Sequence, residues 1–217
     1  MNPFINEFRQ SLVLGCKEIG CAMSDTQINL MTAHANELNV WNQKINLTSI
    51  KKPAEMAEKH FIDSIAITPF LDQNLKLLDL GSGGGFPGIP LKIMIPSLQL
   101  VLLDSSGKKV NFLKQVIRKL HLKEVEVVHA RSEDLKNNSA YANFFDGVIC
   151  RAVTRLENFI RLANPFLKPG GCLYAMKGPA INTEITPEVS VKFSIKKHVY
   201  RLPFEKSDRF LLRIKRP

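Results

Sequence analysis

A carboxylate and a set of glycines stand at alternate positions in Leu77-Leu78-Asp79-Leu80-Gly81-Ser82-Gly83-Gly84-Gly85-Phe86-Pro87-Gly88. The apolar run ahead of Gly81 reads as a buried strand, and the five glycines between positions 81 and 88 read as a sharp turn. With no Cβ atoms in the way, such a turn lets its backbone press against a ligand. Two ligand chemistries fit. Gly83-Gly84-Gly85-Phe86-Pro87-Gly88 matches the GxGxxG spacing that seats a dinucleotide pyrophosphate at a helix N-terminus. Asp79-x-Gly81-x-Gly83-x-Gly85 matches the spacing found in methyltransferases that use S-adenosylmethionine. That cofactor has no phosphate. Its ammonium needs a carboxylate or a carbonyl, and Asp79 at the strand end meets that need directly or through water.

The next elements extend the nucleoside reading. Gln99-Leu100-Val101-Leu102-Leu103-Asp104 is a second apolar strand ending in an acid, and Asp104 lies 23 residues after Gly81. A carboxylate near that separation accepts ribose hydroxyls. Both cofactors carry an adenosine ribose, so Asp104 does not separate them; it also suits the start of a helix. A third strand, Val125-Glu126-Val127-Val128-His129, runs into Arg131-Ser132-Glu133-Asp134. In a methyltransferase this loop sits by the adenine, where Ser132 and Glu133 can contact the base or its exocyclic amine; taken alone, the loop is no better than a polar turn.

The elements that must position these residues alternate from Lys76 onward. Strands are predicted over 76–80, 99–104, 125–129, 145–150 and 171–176, and helices over about 87–95, 107–121 and 155–166. This rhythm predicts a parallel sheet with helices on both faces. After Lys177-Gly178 a polar stretch with Pro179 and Pro187 precedes two late strands, over about 190–202 and 209–215. An antiparallel terminal hairpin on a parallel sheet is the methyltransferase arrangement. A dinucleotide dehydrogenase needs a second mononucleotide half and a substrate domain, and too little chain remains for both.

Residues 1–75 read as helices. Ser24-Asp25-Thr26-Gln27 is a capping-box start. Ile28, Met31, Ala35 and Leu38 then mark one face of a helix reaching about Trp41. Asn46-Leu47-Thr48-Ser49 is a polar turn, Pro53 opens a short helix, and Glu58 to Leu71 continues helically. The expected division is an N-terminal helical extension, 1–75, on a main domain, 76–217.

Composition narrows the partners. The 217 residues are 45% hydrophobic, which allows an adequate core without staples. Cys16, Cys21, Cys150 and Cys172 show no CxxC and no paired metal spacing, and read as reduced core residues. No basic start followed by an apolar signal core is visible, and no apolar stretch approaches membrane-spanning length. A cytoplasmic location is therefore expected, and the sequons at Asn46 and Asn137 carry no glycosylation meaning. Net charge is +10. Residues 1–75 hold 6 basic and 8 acidic side chains, a balance of −2, whereas residues 76–217 hold 24 and 12, a balance of +12. Lys108, Lys109, Lys114, Arg118 and Lys119 follow the second strand; Lys192, Lys196, Lys197, Arg201, Arg209, Arg213, Lys215 and Arg216 crowd the last part of the chain. A field of this size suits a phosphate-backbone partner, bound through counterion release.

With these residues in place, the chain resembles the bacterial 16S ribosomal RNA methyltransferase G family over nearly its whole length. The resemblance is carried by Trp41-Asn42 with Asn46-Leu47-Thr48, by His60 with Asp63-Ser64, and by Gly81-Ser82-Gly83-Gly84-Gly85-Phe86-Pro87-Gly88-Ile89-Pro90. It continues in Leu103-Asp104-Ser105 with Gly107-Lys108-Lys109, in Phe145 to Ala152, and in Met176-Lys177-Gly178. The Phe-Pro-Gly-Ile-Pro continuation is the specific part, since generic methyltransferases lack it. The resemblance implies an α/β, Rossmann-like class I fold with a mostly parallel seven-stranded sheet. It implies S-adenosylmethionine as donor and N7 of one guanine in small-subunit ribosomal RNA as acceptor. The expected partner is that RNA or the assembled small subunit, with no membrane and with the enzyme as a monomer. It places Gly81 and Phe86 at cofactor contacts of the loop, Ser132 and Glu133 at the adenine side, and Arg151 at a contact after the fourth strand.

Guanine N7 also explains why no catalytic acid or base stands out. N7 carries an unprotonated lone pair at neutral pH, so no proton must leave before attack, and orientation is the main contribution to rate. The fourth strand ends Val148-Ile149-Cys150-Arg151, without the Asn/Asp-Pro-Pro-Tyr/Phe of adenine amino methylation, and Cys150 reads as a buried strand residue rather than a nucleophile. Arg151 can hold the guanine, an RNA phosphate or the cofactor carboxylate, or can pair with a neighbouring acid. His60 and Asp63, three apart on one helical face, read as a packing pair. Trp41 reads as a core residue rather than a stacking platform.

Overall fold

The computed structural model describes residues 2–136, 138–151, 154–186 and 191–215; Asn137, Ala152, Pro187 and Arg216, named above, and position 190 of the predicted strand lie outside them. Two capped helices open the chain. Helix α1 (Pro3–Glu18) starts at Asn2, whose side chain accepts from the Phe4 N–H, with proline at the first helical position. Helix α2 (Asp25–Asn42) starts in the expected capping box: the Ser24 N–H donates to Gln27 Oε1 at 2.9 Å and the Gln27 N–H to Ser24 Oγ at 3.3 Å.

The short helix predicted at Pro53 and its helical continuation from Glu58 to Leu71 are present in a different form. Helix α3 (Pro53–Met56) widens into a π-helical stretch (Ala57–Ile62) and closes as α4 (Asp63–Ile65), and a 3₁₀ turn follows at Thr68–Phe70. The Asp63 N–H donates to Glu58 O, five residues back. Short π segments inside helices are frequent at functional sites.

From Lys76 the α/β rhythm holds. The strands are β1 (Lys76–Leu80), β2 (Gln99–Asp104), β3 (Val125–His129), β4 (Phe145–Arg151), β5 (Leu167–Lys177), β6 (Ser194–Arg201) and β7 (Asp208–Lys215). The helices between them are α5 (Gly88–Met94), α6 (Gly107–Leu120), α7 (Ser132–Leu135) and α8 (Leu156–Ala163). They form one sheet in the order β3-β2-β1-β4-β5-β7-β6. Strands β1 to β5 pair in parallel, and β7 runs antiparallel between β5 and β6.

Neighbouring residues on a strand point to opposite faces, and the core divides accordingly. Leu77, Ile149 and Leu211 face one layer with Phe8, Leu38, Phe61 and Phe112; Leu78, Val148 and Leu212 face the other with Phe159 and Phe166. The first layer holds residues of α1, α2 and the π segment together with α5, α6 and the sheet, so the N-terminal helices share a core with the strands. The parallel strands all end on one edge, where Leu80, Asp104, His129 and Arg151 stand. In open α/β sheets ligands bind at that edge.

Candidate functional site

The glycine loop is built around two carboxylates. Gly81, with φ +77°, lets β1 turn sharply, and the N–H groups of Gly81 and Ser82 both donate to Leu103 O, at 2.9 and 3.0 Å. The loop then passes over Asp79, which is 0% exposed. Asp79 Oδ2 accepts from the Gly88 N–H at 2.9 Å. A Cβ at Gly88 would stand 2.7 Å from that oxygen and 2.7 Å from Leu102 Cδ2, so only glycine allows the approach. Asp79 Oδ1 is buried and, among the described residues, has no hydrogen-bond partner. Burial pushes the Asp79 carboxyl up to about 7, and the Gly88 N–H and the charge of Arg151 only partly offset this. A buried carboxylate oxygen without a donor is a costly arrangement, which a cationic donor reaching it, directly or through water, would relieve. An ammonium is such a donor, so the residues present fit S-adenosylmethionine.

Asp104 lies at the end of β2. Its Oδ2 accepts from the Gly83 N–H at 2.9 Å and its Oδ1 from the Ser106 N–H at 2.8 Å. The carboxylate thus braces the loop, and each oxygen keeps a lone pair for a ribose hydroxyl. Gly81, Leu103, Asp104, Ala130, Ser132 and Glu133 line one cleft of about 270 Å³, with Leu162 of α8 at its side. Ser132 Oγ donates to Glu133 Oε2 at 2.9 Å. The Glu133 carboxyl sits below its ordinary range through its own backbone N–H and the Ser132 hydroxyl.

The nine predicted cofactor residues therefore separate into groups. Gly81, Asp104, Ser132 and Glu133 share the cleft, Gly83 is half-buried beside it, and Asp79 lies beneath. Gly85 and Phe86 are buried: a Cβ at Gly85 would meet Ile89 Cδ1 at 2.5 Å, and Phe86 is 6% exposed. They support the loop from behind. Phe86 is the middle ring of a stack, with His34 at 5.0 Å on one side and His60 at 4.7 Å on the other, interplanar angles 18° and 20°. The Arg151 guanidinium lies 5.1 Å from the same Phe86 ring. It pairs with an acid, as one sequence reading allowed: Nη1 is 3.4 Å from Asp63 Oδ2.

Several participants carried no expected role in the sequence. His34 contacts Gly84 O through Nε2 at 2.9 Å and so ties α2 to the glycine loop. Its place three residues after Met31 and four before Leu38 put it on the predicted apolar face of α2, which was the available signal. Tyr200 donates from its hydroxyl to Asp63 Oδ1 at 2.8 Å, and Arg209 Nε approaches the same oxygen at 4.0 Å; nothing local in the hairpin sequence announces either. Cys150 is fully buried, and Trp41 packs edge-on against Phe112, as core residues do.

A methyltransferase described as SAM-dependent, from Aquifex aeolicus, superposes with a TM-score of 0.55 at 20% identity, covering 79% of this chain and 99% of that one. M. jannaschii TYW2 in complex with AdoMet superposes with a TM-score of 0.56 at 16% identity, covering 81% and 80%. These likenesses establish the class I methyltransferase fold. In sequence, ribosomal RNA small subunit methyltransferase G of Acetivibrio thermocellus is 44% identical over 79% of this chain and 72% of its own. The protein of the same description from Desulfitobacterium hafniense is 43% identical over 78% and 70%. The sequence profile of the family described as rRNA small subunit methyltransferase G matches residues 27–211, from the first turn of α2 into β7. The chain thus belongs to the rRNA small subunit methyltransferase G family, whose cofactor is S-adenosylmethionine.

Proposed function

We propose that this chain transfers a methyl group from S-adenosylmethionine to N7 of guanine 527 in 16S ribosomal RNA. The observation that carries the reading is the carboxyl edge of the sheet in a chain of this family: the exposed Gly81 stands beside a nucleoside-sized cleft, above a buried Asp79 oxygen that lacks a donor. In this assignment Asp79 holds the ammonium, Asp104 the ribose hydroxyls, and Ser132 and Glu133 the adenine. Gly81 and Gly83 offer a backbone without side chains along the cofactor, while Gly85 and Phe86 shape the loop from below. Arg151 stands at the end of β4 as a fixed cation.

When bound, the cofactor supplies an electrophilic methyl on a sulfonium. The chain's own task is to hold the guanine so that N7 faces that methyl, and to exclude water. No side chain has to take a proton first, and the histidines nearest the loop agree with this. Burial lowers His34 to about 4, and burial with the neighbouring Arg151 charge lowers His60 to about 3, so both are neutral at pH 7. Neither exchanges protons in the neutral range. The +12 balance of residues 76–217 attracts the RNA backbone.

The same proposal treats 1–75 as an extension packed on a methyltransferase domain, 76–217, and the protein as a cytoplasmic monomer. No helix among the described residues is long and apolar enough to cross a membrane. Borohydride–aniline cleavage of ribosomal RNA at 7-methylguanosine tests the activity. Deletion of the gene is expected to remove one cleavage site in small-subunit RNA and the wild-type gene to restore it. Survival of every site after deletion refutes it.

A further inference from the structure

Asn42, Thr48, His60 and Asp63 lie outside the cofactor cleft, yet the fold collects them around one side chain. Arg151 Nη2 donates to His60 Nδ1 at 2.9 Å. A guanidinium can only donate, so Nδ1 carries no hydrogen, and neutral His60 must carry its proton on Nε2. That N–H points at Thr48 Oγ1, 2.7 Å away. Thr48 is fixed in turn by Asn42, whose Oδ1 accepts from the Thr48 N–H at 3.0 Å and whose Nδ2 donates to Thr48 O at 2.9 Å. Donation therefore runs from Arg151 at the end of β4 through His60 of the π segment to the Thr48 hydroxyl, and Asn42 at the end of α2 holds the Thr48 backbone.

The other half of the guanidinium is held as firmly. Nη1 donates to Lys59 O at 2.7 Å and reaches Asp63 Oδ2 at 3.4 Å. Asp63 is 6% exposed, and its second oxygen accepts from the Tyr200 hydroxyl at 2.8 Å. The π-helical widening takes part in this. It carries the Asp63 N–H to Glu58 O rather than to Lys59 O, and Lys59 O accepts from Arg151. Among the described residues no acceptor lies within hydrogen-bonding reach of Nε. The outcome is a guanidinium held over Phe86, 5.1 Å away, with Nη1 bonded and one Nη2 hydrogen given to His60.

We propose that His60 is a positioning residue for Arg151: the Asn42–Thr48–His60 relay, with Asp63 and Tyr200, fixes the orientation of the guanidinium at the substrate end of β4. The inference rests on the assignment of Arg151 to the cofactor or substrate site. A flexible arginine there samples many rotamers and loses that freedom on binding; a clamped one has already done so. The clamp also commits Nη1, one arm of the fork, to Lys59 O. Arginine commonly bonds guanine through O6 and N7 together, and that pairing occupies the lone pair that must attack.

A double-mutant cycle tests this in the full-length protein. His60→Gln removes the acceptor at the Nδ1 position, whereas His60→Asn keeps an amide oxygen near it. Thermal melts and circular dichroism establish that each variant is folded, and Arg151→Gln is used if Arg151→Met is not. His60→Gln is expected to weaken S-adenosylmethionine affinity or kcat/KM on small subunits by roughly tenfold, as for a lost hydrogen bond to a charged group. His60→Asn is expected to recover most of that loss. In an Arg151→Met background, His60→Gln is expected to cost nothing further. Equal effects of His60→Gln with and without Arg151, or no difference between the Asn and Gln variants, overturns the positioning role. If Arg151→Met alone leaves both affinity and turnover unchanged, the assignment of Arg151 has failed instead, and the relay is structural.

Discussion

Asp79 is fully buried with one oxygen unpartnered among the described residues, so its protonation should respond to a bound ammonium. Burial lifts it from 3.8 to about 7. A group whose folded pKa lies above its unfolded value binds its proton more tightly in the fold. Below about pH 4 both states are protonated and nothing is lost; between about 4 and 7 the cost of ionising the buried group grows; above about 7 it is complete, at about 4 kcal/mol. The free protein thus loses stability from this residue as pH rises. An ammonium reverses the preference, because it selects the ionised form. With a pKa of about 7, roughly 3% of Asp79 is ionised at about pH 5.5 and roughly half at about pH 7, so affinity for S-adenosylmethionine should rise roughly 15-fold between them. Isothermal titration calorimetry in two buffers of different ionisation enthalpy measures both quantities. Binding at about pH 5.5 should release close to one proton. Asp79→Asn keeps an acceptor for the Gly88 N–H and removes the charge. It should bind weakly with no pH dependence over this range, yet melt higher than the wild type at about pH 8. An affinity that stays flat with pH in the wild type, with no proton released, would refute the linkage and the ammonium assignment together.

Other perturbations act on different parts of the site. Gly81→Asp puts a side chain and a negative charge at an exposed position with φ +77°, and should abolish cofactor binding in equilibrium dialysis while the protein stays folded. Gly88→Ala forces a Cβ to within 2.7 Å of Asp79 Oδ2 and Leu102, and should lower both the melting temperature and cofactor affinity; unchanged values of both would contradict the packing described. Phe61→Ala empties a fully buried site between Phe8, His34 and Phe86, and should cost about 3–5 kcal/mol in urea unfolding, in one transition if the N-terminal helices and the sheet share their core. RNA affinity should fall log-linearly with salt; a salt-independent affinity would show that the basic surface does not bind the RNA backbone.

Most strands were legible because each is an apolar run bounded by glycine, proline or charge, and β1, β2 and β3 fall on the predicted bounds. Strand β5 begins earlier than 171, at Leu167, because Leu167 pairs with Phe145 across a register shift although Pro169-Gly170 reads as a turn. The helix expected from Glu58 to Leu71 is shorter and wider than predicted, since periodicity does not register one extra residue in a turn. In the site, the alternation of Asp79 with glycines is local, and the structure puts Gly81, Asp104, Ser132 and Glu133 on one cleft. The Arg151 cluster was not legible in that way. Arg151 and Tyr200 lie 88 and 137 positions after Asp63, and only the fold tells that they approach the same carboxylate.

The place of β7 in the sheet bears on the order in which the chain can be assembled. Domains generally form N-terminal parts first as synthesis proceeds, but here β6 is made before β7 and touches the sheet only through it. Until β7 has been translated, β5 offers a bare edge to any other extended chain, and Tyr200 on β6 has no docked strand to bring it to Asp63. The helices made at the start are therefore finished by a strand made some 145 residues after Asp63. A nascent chain therefore passes through an interval in which the cofactor loop and the first contacts of Arg151 are made and the Tyr200 bond to Asp63 is not.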